Sequence, residues 1–182
     1  MSNKKTLVMI TGVSWSGKST LLNMMVERNK FKQPLHFTTR QPRSDAELDE
    51  YCFIDRESFL KKMENGDFCD WIFYNGNYYG ITAFFDFTKP HVMLLDPIGK
   101  AMVDKFCKMN WIESLSLFID IDENTMVERL WMKRREKMNV IEERKKDFLY
   151  FNPKGYDYII DWRDTAEIVY RHVNNILKTN GF

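Results

Sequence analysis

The sequence has few cysteines, no long hydrophobic run and almost no net charge. Its three cysteines are an odd number without metal-like spacing, so neither a disulfide framework nor a zinc site is expected. No apolar run reaches the about 20 residues that span a bilayer. The start, MSNKKTLVMITG, is not a signal peptide, so a cytoplasmic protein without a membrane partner is expected. A formal net charge of +1 gives no strong field that would attract nucleic acid.

The composition is that of a globular domain. Hydrophobic residues make up 44% and charged residues 29% of the chain, which excludes a disordered or fibrous protein. The length of 182 residues suits one compact domain with a small inserted subdomain. We therefore expect residues 1–182 to form a single unit.

Apolar runs rich in β-forming residues alternate with helical patterns along most of the chain. Strands are expected near residues 6–11, 91–96, 114–121 and 156–160, and helices near residues 18–28, 99–109 and 141–150 and from residue 123. Asp164 and Glu167 form a capping box that predicts the start of a last helix. This alternation predicts an α/β fold with a parallel central sheet in three α/β/α layers.

Residues 40–90 have a different pattern. Short strands are expected near residues 51–54 and 68–74, with a helix capped by Asp55 between them. The pair Asn75-Gly76 is typical of a two-residue hairpin turn. We therefore expect an inserted α+β lobe at residues 40–90 and a core formed by residues 1–39 and 91–182.

The segment GVSWSGKS at residues 12–19 matches the phosphate-binding pattern G-x-x-x-x-G-K-[ST], between a buried strand and a helix. Small residues let backbone N–H groups surround phosphate oxygens, Lys18 can reach the β- and γ-phosphates, and the Ser19 hydroxyl can bind Mg²⁺. A chance Gly/Ser turn is the alternative. ATP and Mg²⁺ are thus the expected cofactors, and the expected donor-site residues are Gly12, Ser14, Ser16, Gly17, Lys18, Ser19 and Thr20.

Four further motifs follow in order. TTRQPR at residues 38–43, YCF at 51–53, NGDFCDW at 65–71 and GNYYG at 76–80 resemble, in sequence and spacing, TTRxPR, DYxF, NGEFLEW and GNYYG of guanylate kinases. With the phosphate loop, the resemblance covers nearly the whole chain. It implies a nucleoside monophosphate kinase that phosphorylates GMP or dGMP with ATP.

The resemblance implies that Arg40, Arg43, Tyr51 and Tyr79 hold the phosphate of the acceptor nucleotide. Two forked guanidinium groups match phosphate oxygens, and tyrosine hydroxyls add hydrogen bonds. Taken singly, the arginines are better explained as solvated surface charges and the tyrosines as packing residues. Taken together, they favour a phosphate site.

The base-reading positions depart from the family pattern. The family carboxylate that reads guanine falls on Asp70, which is shorter by one methylene than the usual Glu, and the family serine falls on His36. Ile81 replaces a small hydroxyl residue that often follows YYG in the family. Asp96 ends a buried strand and is expected either near Mg²⁺ or as the cap of the next helix. Guanine remains the leading base, and another phosphorylated acceptor is the alternative.

A basic segment resembles the lid of the family, at about residues 131–145. Arg144 matches a family arginine directly, and Arg134 and Arg135 are expected to substitute nearby for a missing Arg-Gly pair. Lys18, Arg134, Arg135 and Arg144 are therefore the expected catalytic residues, since phosphoryl transfer mainly requires charge neutralisation. A solvated basic helix face is the alternative.

Two further expectations concern partners. Nucleotides are the expected ligands, and the chain is expected to be a monomer or a homodimer. A non-catalytic phosphopeptide-binding module of the same fold is a third alternative, but such domains typically lack a working phosphate loop.

Overall fold

The computed structural model describes residues 5–49, 51–134 and 138–182. The strands are β1 (Thr6–Gly12), β2 (His36–Thr38), β3 (Tyr51–Phe53), β4 (Phe68–Tyr74), β5 (Asn77–Thr82), β6 (His91–Leu94), β7 (Glu113–Asp120) and β8 (Tyr158–Asp161). The helices are α1 (Lys18–Asn29), α2 (Arg56–Glu64), α3 (Pro97–Met109), α4 (Glu123–Arg134), α5 (Met138–Lys145), α6 (Asp147–Tyr150) and α7 (Ala166–Thr179), with a 3₁₀ helix at Asp45–Asp49. Within these ranges, no helix combines the length and the apolar character needed to cross a membrane.

The central sheet is parallel, as the sequence predicts. Its strand order is β6-β1-β7-β8, and every residue of β1 is buried. Because parallel strands end at the same edge, the segments that follow β1 and β6 lie side by side. This edge carries the phosphate loop.

The two faces of β1 pack against different helices. Val8 and Ile10 belong to an apolar cluster that includes residues of α1, α4 and α7, whereas Leu7 and Met9 belong to a second cluster with Val103 of α3. Alternate residues of a strand point to opposite faces. The sheet is therefore covered on both sides, which confirms the three-layer α/β/α prediction.

A second sheet forms the inserted lobe, in the order β3-β2-β5-β4. The predicted hairpin joins β4 to β5, with φ of 48° at Asn75 and 78° at Gly76. Phe59 of α2 is fully buried and stacks on Phe68 with ring centroids 4.5 Å apart. The predicted boundary between residues 39 and 40 is wrong, because β2 pairs within the lobe sheet and not within the core.

Two helix predictions also need correction. The last helix is capped by Thr165, whose side chain accepts from Ile168 N, and not by a box of Asp164 and Glu167. Glu167 instead forms an ion pair with Arg28 of α1 at 2.8 Å. The single helix expected at residues 141–150 is divided into α5 and α6.

Candidate active site

Two glycines allow the phosphate loop to turn tightly between β1 and α1. A Cβ on Gly12 would lie 2.6 Å from the carbonyl oxygen of Ile119 and 2.8 Å from Ser16 Oγ. Gly17 has a φ of 106°, and a Cβ there would lie 2.8 Å from the indole ring of Trp162. Both positions therefore require glycine, on steric grounds and, for Gly17, also on backbone grounds.

The phosphate loop forms one wall of a cavity of about 620 Å³, called here the donor cavity. Gly12 and Ser16 do not line the cavity, because Gly12 lies against Ile119 and Ser16 is fully buried. The other predicted donor-site residues line the cavity: Ser14, Gly17, Lys18, Ser19 and Thr20.

Lys18 places its ammonium group at the loop backbone. Its Nζ donates a hydrogen bond to the carbonyl oxygen of Val13 at 2.7 Å. Burial lowers the pKa of Lys18 to about 8, and the carboxylate of Asp147 partly opposes that shift. A buried ammonium with one backbone partner is well suited to bind phosphate oxygens.

Arg129 fixes the loop to the end of β8, a role that the sequence did not predict. Its Nη1 donates to the carbonyl oxygens of Trp15 at 3.1 Å and Ser16 at 3.3 Å, and its Nη2 donates to that of Trp162 at 2.7 Å. Trp15 lines the donor cavity with a left-handed φ of 63°.

A second cavity, of about 720 Å³, lies between the lobe and the core and is called here the acceptor cavity. Ser19 lines both cavities, so they meet at the start of α1. The predicted acceptor-site residues that line this second cavity are His36, Tyr51, Asp70, Tyr79 and Asp96.

The polar groups expected to read the base are brought together in the acceptor cavity. Burial lowers the pKa of His36, and burial, followed by the charge of Asp96, raises the pKa of Asp70. Asp96 Oδ1 accepts a hydrogen bond from Gly99 N at 2.7 Å, which confirms its role as the cap of α3. Ile81 pairs with His36 across β2 and β5 and is buried.

The side chain of Arg40 and the backbone of Arg43 bind the same anion, which is the carboxylate of Glu47. Arg40 binds both Glu47 oxygens, at 3.0 and 3.1 Å, and the backbone N of Arg43 donates to Glu47 at 2.7 Å. The hydrogen bond to Glu47 raises the pKa of Arg40, and the negative charges of Glu47 and Tyr79 add smaller shifts in the same direction. Neither arginine lines the acceptor cavity, but Arg40 lies over the ring of Tyr51, 5.9 Å from its centroid. No motif in the sequence predicts this role of Glu47.

The lid is described in part. Arg144 of α5 lines the donor cavity, and its catalytic role stays a prediction. The side chain of Arg134 and the whole of Arg135 lie outside the described residues. Ile141 of α5 is buried in the cluster that also contains Leu130, so α5 is anchored to the core.

The sequence model of the family described as "Guanylate kinase" matches residues 3–180. A guanylate kinase of Prochlorococcus marinus subsp. pastoris is 29% identical over 98% of this chain and 100% of its own length. One from Prochlorococcus marinus strain MIT 9312 is 31% identical over 79% of this chain and 80% of its own. The crystal structure of guanylate kinase from Anaplasma phagocytophilum superposes with a TM-score of 0.69 at 21% identity, over 99% of this chain and 88% of that one. The chain therefore belongs to the guanylate kinase family.

Proposed function

We propose that the protein transfers the γ-phosphoryl group of ATP to the phosphate of GMP or dGMP. The observation that carries this proposal is that Ser19 lines both the donor and the acceptor cavity. Cavities of about 620 and 720 Å³ each suit a small-molecule ligand. Two bound nucleotides would thus meet with their phosphates at the start of α1, where the helix dipole favours anions.

The reaction needs positioning and charge neutralisation. An oxygen of the acceptor phosphate attacks the γ-phosphorus, the bond between that phosphorus and the β,γ-bridging oxygen breaks, and ADP leaves with the electron pair of that bond. Lys18 and Arg144 both line the donor cavity and supply positive charge to the phosphoryl group in transfer. The lobe and the lid exclude water, which would otherwise accept the phosphoryl group.

Mg²⁺ is the proposed metal, held through Ser19. The Ser19 side chain is exposed where the two cavities meet, and Asp96 is exposed at the wall of the acceptor cavity. Mg²⁺ prefers oxygen ligands and usually binds through phosphates, water and one or two protein groups, which fits this donor set. When bound, the ion neutralises phosphate charge.

Guanine is the base that Asp70 suits best. The N1–H and N2–H groups of guanine donate hydrogen bonds, and a carboxylate accepts them. Adenine presents an acceptor at N1 and would be repelled. Burial lowers the pKa of His36, which favours the neutral imidazole with one donor and one acceptor nitrogen for the base.

The test is a coupled assay of ADP release with a panel of monophosphates: GMP, dGMP, AMP, CMP, UMP and dTMP. We expect turnover with GMP or dGMP to exceed that with the others by at least about 100-fold, because a site built for hydrogen bonds rejects ligands that leave them unpaired. The variant Lys18→Ala serves as the blank. Absence of turnover with every member of the panel would reject the proposal.

A kinase with another phosphorylated acceptor is the second candidate, and His36 and Ile81 favour it. Ile81 is 7% exposed in the acceptor cavity, where the family pattern has a hydroxyl. The same panel, extended to sugar phosphates, separates the two candidates by their preferred substrate. The cytoplasmic location and the monomeric or homodimeric state remain predictions.

A further inference from the structure

Asp147, the first residue of α6, contacts the phosphate loop. Its Oδ2 accepts a hydrogen bond from the backbone N of Ser14 at 3.3 Å, across 133 positions of sequence. Its charge also acts on Lys18. The backbone N–H groups and the lysine of such a loop are the groups that bind phosphate oxygens. The carboxylate of Asp147 therefore binds an amide, and lies in the field of an ammonium, that are both expected to bind phosphate.

The neighbours of Asp147 hold it there. Phe148 packs against the main apolar cluster, and Ile141 of the preceding helix is 1% exposed within it. The backbone N of Phe151 donates to the carbonyl oxygen of Asp147 at 2.8 Å. Packing of the neighbouring residues thus holds Asp147 next to the loop. The Asp147 side chain can therefore move away from the loop without unfolding α6.

We propose that Asp147 is a positioning residue of the donor site, whose carboxylate holds the nucleotide-free phosphate loop and is displaced by the β- and γ-phosphates of ATP. A carboxylate and a phosphate repel each other and compete for the same donors. Asp147 therefore weakens ATP binding while it keeps the empty loop in its binding conformation. The inference rests on the proposed ATP site.

Asp147 is one of several charged groups around this loop. Arg129, Arg144 and Asp164 line the same cavity. Arg129 donates its hydrogen bonds to backbone oxygens of the loop and of Trp162, so its guanidinium group holds the loop backbone. Among the contacts described for these groups, one joins a carboxylate to an amide of the loop, and it is the hydrogen bond from Ser14 N to Asp147.

The test is isothermal titration of ATP and, separately, GMP, without metal and in the presence of a chelator. Asp147→Asn keeps the shape and an accepting oxygen but removes the charge. Glu143→Gln makes the same charge change on an exposed residue of α5 and is the matched control. We expect Asp147→Asn to lower the Kd for ATP by about threefold to thirtyfold. The Kd for GMP should stay the same, and Glu143→Gln should change neither constant.

Three results would overturn the inference. The first is an unchanged or higher Kd for ATP in Asp147→Asn. The second is an equal decrease of the Kd for GMP in that variant, and the third is an equal decrease of the Kd for ATP in Glu143→Gln. The ratio of the two affinities is measured within each variant, so partial misfolding does not imitate the expected result. If the unaltered protein binds no ATP, the proposed function fails as well. If it binds ATP and Asp147→Asn has no effect, the positioning role alone fails.

Discussion

Gly99 allows the carboxylate of Asp70 to lie against the first turn of α3. A Cβ at position 99 would lie 2.7 Å from Asp70 Oδ2 and 3.3 Å from Leu95 Cδ2. The nearer contact is with the end of a movable side chain, so Gly99→Ala should displace the Asp70 carboxylate and leave the helix in place. We expect the KM for GMP to rise about tenfold and the KM for ATP to stay within about twofold, measured by steady-state kinetics.

Thermal unfolding separates this effect from a loss of stability. Gly99 lies in the first turn of α3, where alanine gains less over glycine than the about 1 kcal/mol of a helix interior, so the melting temperature of Gly99→Ala should be retained. Asp70→Asn is the companion variant and should raise the KM for GMP in the same direction. An unchanged KM for GMP in Gly99→Ala would contradict the assigned position of Asp70.

The pKa of Lys18 sets an upper pH limit for ATP capture. Burial lowers this pKa to about 8, and only the protonated ammonium attracts phosphate. Below that pH, Lys18 is charged in the free enzyme, and above it the charge is lost. We expect kcat/KM for ATP to fall about tenfold per pH unit above pH 8, since this constant reports the free enzyme. A profile that stays flat to pH 9.5 would show that Lys18 keeps its proton.

At the scale of elements, α5 presents two adjacent basic residues to different surroundings. Arg144 lines the donor cavity, whereas Lys145 Nζ lies 2.8 Å from Glu142 and 3.4 Å from Glu123. We expect Arg144→Ala to lower kcat by about 100-fold or more, because it removes a charge that stabilises the transition state. Lys145→Ala makes the same charge change and should lower kcat less than about twofold. Equal losses in the two variants would favour the solvated basic face.

Most elements follow from local pattern, and the exceptions depend on distant contacts. The helix expected at Asp164 begins one residue after Thr165, because Asp164 and Thr165 are both good caps and local sequence does not choose between them. Glu167, which a capping box would turn back toward the cap, pairs with Arg28 of α1. Likewise the sequence pattern assigns residues 36–38 to the core, whereas the pairing of β2 with β3 and β5 is a property of the folded lobe.

The candidate site divides in the same way. Residues that belong to sequence motifs, such as Lys18, His36 and Asp70, line the two cavities, and their roles there stay predictions. Glu47 and Asp147 are different, because neither belongs to a sequence motif. Their carboxylates bind groups that were expected to bind phosphate, the Arg40 guanidinium and the Ser14 amide. The contact of Asp147 joins residues 133 positions apart, and periodicity within one element gives no information at such a separation.

At the scale of the whole molecule, α3 connects the two halves of the site. Its cap Asp96 lies at the acceptor cavity, Gly99 contacts Asp70 of the lobe, and Val103 packs in the cluster beneath β1. Because Ser19 lines both cavities, one ligand should be able to occupy them together. We expect a bisubstrate compound, adenosine and guanosine joined by five phosphates, to bind at least about 100-fold more tightly than ATP or GMP alone.

This compound also tests whether the two cavities act as one site. Linking gains affinity only where both ends bind at the same time, so the gain depends on the distance between the cavities and on their orientation. Asp70→Asn should remove most of the gain from the guanosine end and leave the affinity for ATP unchanged. Isothermal titration measures both. A pentaphosphate that binds no better than ATP would mean that the cavities do not face each other, and the direct transfer between two bound nucleotides would then be excluded.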